Sequence, residues 1–253
     1  VDRGMSLLAP AGLVNFVEIA QMGYIGVNRW YEFLNLGFRL TAMAGSDVPW
    51  GGTIGTTRAY AYTGSGFNAD RWFEAVRQGH TFVTTGPMLE FTVNGALPGS
   101  VLKVRKGDVI LVKARVWGNN PGARPVRLQL ISFGRVVKEV SGEGTLETAI
   151  ELSAERSFWI TAAGETNAKQ LMDVPGFFSG AVATPVFVEM DGRPCRDEEH
   201  LAELVARRRQ SLDEIERWLD AGEAAVEAGN LGGWESRESF RKSVPEIRLD
   251  VRA

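Results

Sequence analysis

Cysteine is almost missing. The single Cys195 in 253 residues cannot form an internal disulfide, so the fold does not depend on an oxidising compartment. Histidine is nearly as scarce. His80 and His200 are the only two, whereas hydrolytic zinc centres take about three protein ligands, mostly histidine. No apolar run approaches the ~20 residues that cross a bilayer, and no basic-then-apolar leader follows Val1. Charge of one sign is also lacking. The net charge is -3 and the basic residues are spread along the chain, which is not the footprint of a nucleic-acid binder. The one basic run, Arg207, Arg208 and Arg209, lies among Glu203, Asp213 and Glu214 and reads as a solvated helix face. The nucleophile elbow G-x-S-x-G, the phosphate loop and the C-x-x-C pair are absent.

What is present is an ordinary globular composition, 44% hydrophobic and 23% charged, in a chain long enough for one large domain or two modest ones. Residues 1–86 alternate between strand-like and helix-like segments. Residues 13–19 form a short run rich in β-branched and aromatic side chains, a buried strand candidate. Residues 28–36 read as a helix stopped by Gly37, and residues 40–44 as a strand. Residues 57–63 alternate as a strand does. A helix over 68–78 follows, capped by Asn68 and ended by Gly79, and then a strand over 81–84. Such alternation is the pattern of parallel α/β folds.

Over residues 87–190 helical periodicity vanishes. About seven short β-like runs separated by Gly, Pro and Asn predict a β-sandwich, with a tight hairpin turn at Phe133-Gly134-Arg135. From 191 to 253 the pattern is helical, with Leu201, Leu204, Leu212, Ile215 and Leu219 on one stripe. A break into two helices is allowed where Ser211 and Glu214 have capping-box spacing.

The stretch with most chemical content is Ala44-Gly45-Ser46-Asp47. A carboxylate placed directly after a buried strand is held rigidly at the strand's C-terminal end, where α/β barrels carry their active sites. It can ligate a metal ion, or cap the next turn through its own backbone. Beyond it Gly51, Gly52 and Gly55 make a loop that lets a ligand approach or simply forms a wide turn. Trp50 could line an aromatic pocket or pack on that loop. Cys195 and His200 have the types of a nucleophile dyad but lack a third orienting group at a recognisable spacing.

Several motifs then occur in a fixed order. Phe16-Val17-Glu18-Ile19 and Trp30-Tyr31-Glu32-Phe33 precede Ala44-Gly45-Ser46-Asp47. Arg58-Ala59-Tyr60-Ala61-Tyr62, Gly79-His80-Thr81-Phe82-Val83-Thr84-Thr85-Gly86-Pro87, Val93-Asn94-Gly95 and Ala183-Thr184-Pro185-Val186 follow. The series resembles the carbaryl-hydrolase-like (CehA/McbA) metallohydrolases of the polymerase-and-histidinol-phosphatase (PHP) superfamily. The resemblance implies the C-terminal part of a distorted α/β barrel over 1–86, a β-sandwich-like domain over 87–190 and a helical tail over 191–253.

It further implies a divalent metal, zinc or else manganese, held by Asp47 with Glu18 as a weaker candidate. Asp47 and Arg58 would serve as catalytic residues, with Arg58 gripping an anionic group. The superfamily's opening His-x-His would lie upstream of Val1, so the chain is expected to be an incomplete hydrolase, poorly active alone and prone to associate. The reaction implied is hydrolysis of a carbamate, amide or ester bond of a small-molecule substrate by metal-activated water. A phosphoesterase of the same superfamily is one alternative. The other is a non-catalytic β-sandwich binding module beside a remnant barrel. Oligomeric state, and a cytoplasmic or exported location for the soluble chain, stay open.

Overall fold

The apolar run near the start becomes β1 (Phe16–Gln21), which turns through Met22 and Gly23, both with positive φ, into β2 (Tyr24–Gly26). The computed structural model describes residues 2–50, 53–118, 120–168 and 176–227. It forms two units. One spans residues 15–198. The other combines residues 1–14 with 199–253.

In the larger unit, α2 (Asn28–Asn35) buries Trp30, Tyr31, Phe33 and Leu34 on one face, as its apolar spacing requires. The smaller unit's first helix, α1 (Asp2–Leu8), precedes it in the chain. β3 (Thr41–Gly45) then runs parallel to β1. β4 (Arg58–Ala61), α3 (Ala69–Arg77) and β5 (Thr81–Thr84) follow. Asn68 caps α3 as its position predicts: its side-chain oxygen accepts from the Arg71 amide at 2.8 Å.

The β-rich stretch contains β6 (Met88–Val93), β7 (Val101–Val104), β8 (Val109–Trp117), β9 (Pro125–Ser132), β10 (Arg135–Ser141), β11 (Leu146–Ser153) and β12 (Phe158–Thr166). β13 (Phe177–Phe178), β14 (Gly180–Ala183) and β15 (Val186–Met190) complete it. Phe133 and Gly134 both have positive φ, 51° and 75°, and join β9 to β10 in a two-residue hairpin whose twist matches the strands.

Three sheets result. One has the order β13-β2-β1-β3. The largest runs β10-β9-β12-β14-β5-β4, with β15 also paired to β12 and β7 to β15. The third is β11-β8-β6. The third sheet stacks on the largest so closely that a Cβ at Gly164 of β12 would stand 2.5 Å from Cγ2 of Val116 in β8. Alternate residues of β8, Ile110, Val112, Ala114 and Val116, fill the space between the layers. The larger of the two layers is not confined to residues 87–190, since it takes in β4 and β5.

The expected PHP-type barrel does not form. Parallel pairing among the described residues is confined to β1 with β3 and β7 with β15. β4 and β5 pair antiparallel, and no barrel closes. The physical reason lies in α3. Helical and strand periodicities mark the elements around it, but they carry no information on strand direction. Here the helix is an excursion between two neighbouring antiparallel strands and not a crossover between parallel ones. Hydrogen bonding passes without a break from β14 through β5 to β4, across residue 86. Thr84, Thr85, Gly86 and Pro87 carry the chain from the largest sheet to the third, tied by Thr84 Oγ1 donating to the Pro87 carbonyl at 2.6 Å.

A cluster of buried threonines joins β3 to the largest sheet where no ladder does. Thr81 Oγ1 donates to the Ala42 carbonyl at 3.0 Å and lies 2.8 Å from Thr184 Oγ1, which accepts from the Ala42 amide at 3.0 Å. Each buried hydroxyl is thereby satisfied.

In the smaller unit α4 (Leu201–Glu227) is one continuous helix. The break that the sequence allows at Ser211 does not occur: Ser211 Oγ donates back to the Arg207 carbonyl four residues earlier and the helix runs on. Ile215 and Leu219 are buried, with Leu212 and Leu7 of α1 packed on them, so the apolar stripe has its partner within this unit. Residues 228–253 of the expected helical tail, and Gly51 and Gly52 of the expected loop, lie outside the described residues. No described helix is long and apolar enough to cross a membrane.

Candidate functional site

Glu18 and Asp47 come together at the end of the parallel β1–β3 pair. Glu18 leans over Gly45, where a Cβ would stand 2.8 Å from Glu18 Oε1. Partial desolvation of this largely exposed carboxylate raises the Glu18 pKa above its ordinary value, and the charge of Asp47 raises it further. Asp47 itself has a positive φ of 53°. The two residues offer carboxylate oxygens to a cation. Among the described residues, however, no third His, Cys, Asp or Glu comes close enough to join them. The set does not fit a zinc centre of three protein ligands.

Arg58 stands on β4 opposite Thr84 of β5, and its Nε is buried without a hydrogen-bond partner. Trp50, expected to line a pocket or pack on its loop, is 83% exposed and does neither. Cys195 is buried between β12 and β15, donating to the Phe158 and Val188 carbonyls at 3.2 and 3.3 Å. Burial foremost, then the charge of Glu189, pushes its thiol up to about 12. A thiol held protonated is no nucleophile.

A concavity lies elsewhere, on the face of β4 and β5. Alternation along antiparallel strands puts Tyr60 and Tyr62 on the same side as Phe82 and His80, while Thr81 and Val83 point to the core. Tyr60 is paired across the strands with Phe82, their rings stacked at 5.0 Å between centroids and 6° between planes. The Tyr62 amide donates to the His80 carbonyl at 2.8 Å, extending the pairing by one step. His80 Nδ1 lies 2.6 Å from the Pro98 carbonyl. That oxygen can only accept, so Nδ1 carries the proton, and in the neutral ring Nε2 is left as an acceptor.

The third sheet supplies a second, polar wall. Its register sets Glu90, Arg115 and Glu147 in one row across β6, β8 and β11, with Thr92 and Lys113 in the next. Arg115 Nε is 3.0 Å from Glu147 Oε1, and its guanidinium lies over the Trp117 ring at 5.1 Å. Between the aromatic and polar walls is a groove of ≈ 780 Å³, with Met88, Leu97 and Pro98 among its apolar lining. Of the two walls, the sequence reading quoted Tyr60, Tyr62, His80 and Phe82 only as parts of motifs. The signal that marks them is the alternation Ala59-Tyr60-Ala61-Tyr62, large rings between small residues, on a strand that pairs with another of the same kind.

No family model matches the chain, and no curated protein matches it. Among solved structures it is similar to the fibronectin(III)-like modules of Clostridium thermocellum CbhA, at 13% identity and a TM-score of 0.27, covering 41% of this chain and 98% of that one. It is also similar to a CARDB domain from Pyrococcus furiosus, solved in complex with di-metal ions, at 11% identity and a TM-score of 0.26, covering 42% and 90%. A chitin binding domain from Burkholderia pseudomallei has 9% identity and a TM-score of 0.22, covering 36% and 57%. These are all-β modules. With β4 and β5 antiparallel and no barrel closed among the described residues, the resemblance to PHP metallohydrolases is overturned.

Proposed function

We propose that the chain is a non-catalytic binding module whose ligand seat is the groove between the aromatic face of β4–β5 and the polar face of β6–β8–β11. The observation that carries this reading is the placement of Tyr60, Tyr62, His80 and Phe82 together on one open face. Tyr60 is 38% and Tyr62 59% exposed, although packing them inward would have gained the burial energy of large rings. Clustered rings left facing a concavity are a hallmark of interaction surfaces. The groove's ≈ 780 Å³ is within the range of small-molecule sites, roughly 300–1,000 Å³.

The reading is tested with a mixture of fluorinated aromatic fragments observed by fluorine NMR. Fragment signals broaden with the parent chain and stay sharp with a folded Tyr60→Ala/Tyr62→Ala variant. Equal broadening with both proteins, or none with either, overturns it.

A further inference from the structure

Resting on that reading, we infer that the groove takes a neutral saccharide chain, its sugar rings lying on Tyr60 and Tyr62 and its hydroxyls hydrogen-bonded to the polar wall. The two walls differ in chemistry, and a ligand must match both. The aromatic wall wants a flat, weakly polar surface to cover exposed rings. The opposite wall carries Glu90, Arg115 and Glu147 in one row and Thr92 and Lys113 in the next. A wholly apolar ligand would cover the rings but return no hydrogen bonds to these groups, so it matches only one of the two walls.

A strongly charged ligand fits no better. Two carboxylates, Glu90 and Glu147, offset the cations of Arg115 and Lys113, and Arg115 is already committed to Glu147 at 3.0 Å. The wall therefore has no net charge with which to draw an anion or a cation.

A pyranose meets both demands. Its C–H face is apolar and nearly flat, and its rim of hydroxyls both donates and accepts. Carboxylates of Glu90 and Glu147 accept from hydroxyls, while the Lys113 ammonium donates to them. His80 Nε2 adds an acceptor on the aromatic side, since Nδ1 is held at the Pro98 carbonyl. Tyr60 and Tyr62 are two residues apart on one strand, a rise of roughly 6–7 Å, so successive rings of a chain find successive platforms.

The experiment is isothermal titration of the full chain with cellohexaose, mannohexaose, xylohexaose, maltohexaose and chitohexaose, with heparin hexasaccharide as the charged comparison. At least one neutral hexasaccharide is expected to bind, with affinity unchanged between low and physiological salt. Tyr60→Ala is expected to weaken it about tenfold, and Tyr60→Phe, which keeps the ring, to leave it within about twofold. Circular dichroism checks that each variant is folded. Tighter binding of heparin than of every neutral probe overturns the inference, as does saccharide binding that is indifferent to Tyr60→Ala. If the aromatic fragments of the preceding test bind and no hexasaccharide does, the saccharide assignment fails while the binding-module reading stands. If neither class binds, both fail.

Discussion

Tyr60 and Phe82 face each other across neighbouring antiparallel strands with their rings 5.0 Å apart and within 6° of parallel. The pair is the structural anchor of the aromatic wall, because Tyr62 and His80 extend it by one residue pair on the same face. A stacked pair is worth about 0.5–1.5 kcal/mol beyond its buried area. A double-mutant cycle of Tyr60→Ala and Phe82→Ala, read by urea unfolding, is expected to give a coupling energy in that range. A coupling near zero would mean the stack does not hold the wall in place.

Glu18 sets a pH dependence. The folded state holds its proton more tightly than the unfolded chain does, because partial desolvation and then Asp47 raise its pKa above 4.5. Its stabilising contribution is thus full below the unfolded pKa and is lost as pH rises through the raised folded one. At pH 7 the ionised carboxylate opposes folding. Glu18→Gln is expected to unfold at a higher temperature than the parent at pH 7, and the difference is expected to shrink as pH falls through 4.5. Thermal unfolding by circular dichroism at several pH values checks this; a variant less stable than the parent at pH 7 contradicts it.

The two sandwich layers approach closely at Gly164, where a Cβ would come 2.5 Å from Val116 Cγ2. Gly164→Val should overpack the layer and cost about 1–3 kcal/mol in urea unfolding. Adding Val116→Ala should recover part of that loss. Without such recovery, the close approach of β12 and β8 would not be the cause.

Cys195 should be chemically silent in the folded chain. With its thiol pushed up to about 12, on the order of one molecule in ten thousand carries a thiolate at pH 8. A thiol-reactive dye is expected to label the native protein far more slowly than the urea-unfolded one. Similar rates in both states would place the thiol at the surface.

Much of the fold was legible because period and turn chemistry survive in a single sequence. Asn68 marks its helix start, Phe133-Gly134 its hairpin, and the alternation of Ile110, Val112, Ala114 and Val116 the inner face of the sandwich. Strand direction left no such trace, and this is where the expected barrel failed: the segment between Tyr62 and His80 reads as strand–helix–strand whether its strands run parallel or antiparallel. Short strands also escaped notice. Residues 24–26 and 180–183 are too brief to show a period.

The site was legible only in fragments. Glu18 and Asp47 lie near enough for the charge of one to raise the pKa of the other, but the number of ligands around them is a three-dimensional fact. The polar wall was hidden for a different reason. Glu90, Arg115 and Glu147 are far apart in sequence and are aligned only by the register of three strands.

The chain contains four tyrosines, Tyr24, Tyr31, Tyr60 and Tyr62, and only the last two line the groove. Carbon-13 labelling of tyrosine rings therefore gives a spectrum in which occupancy of the groove is read from four signals. On titration with the aromatic fragments that bind, the Tyr60 and Tyr62 signals are expected to shift while those of Tyr24 and Tyr31 stay still. Shifts confined to Tyr24 and Tyr31, or no shift at any of the four, would contradict the assignment of the groove as the ligand seat.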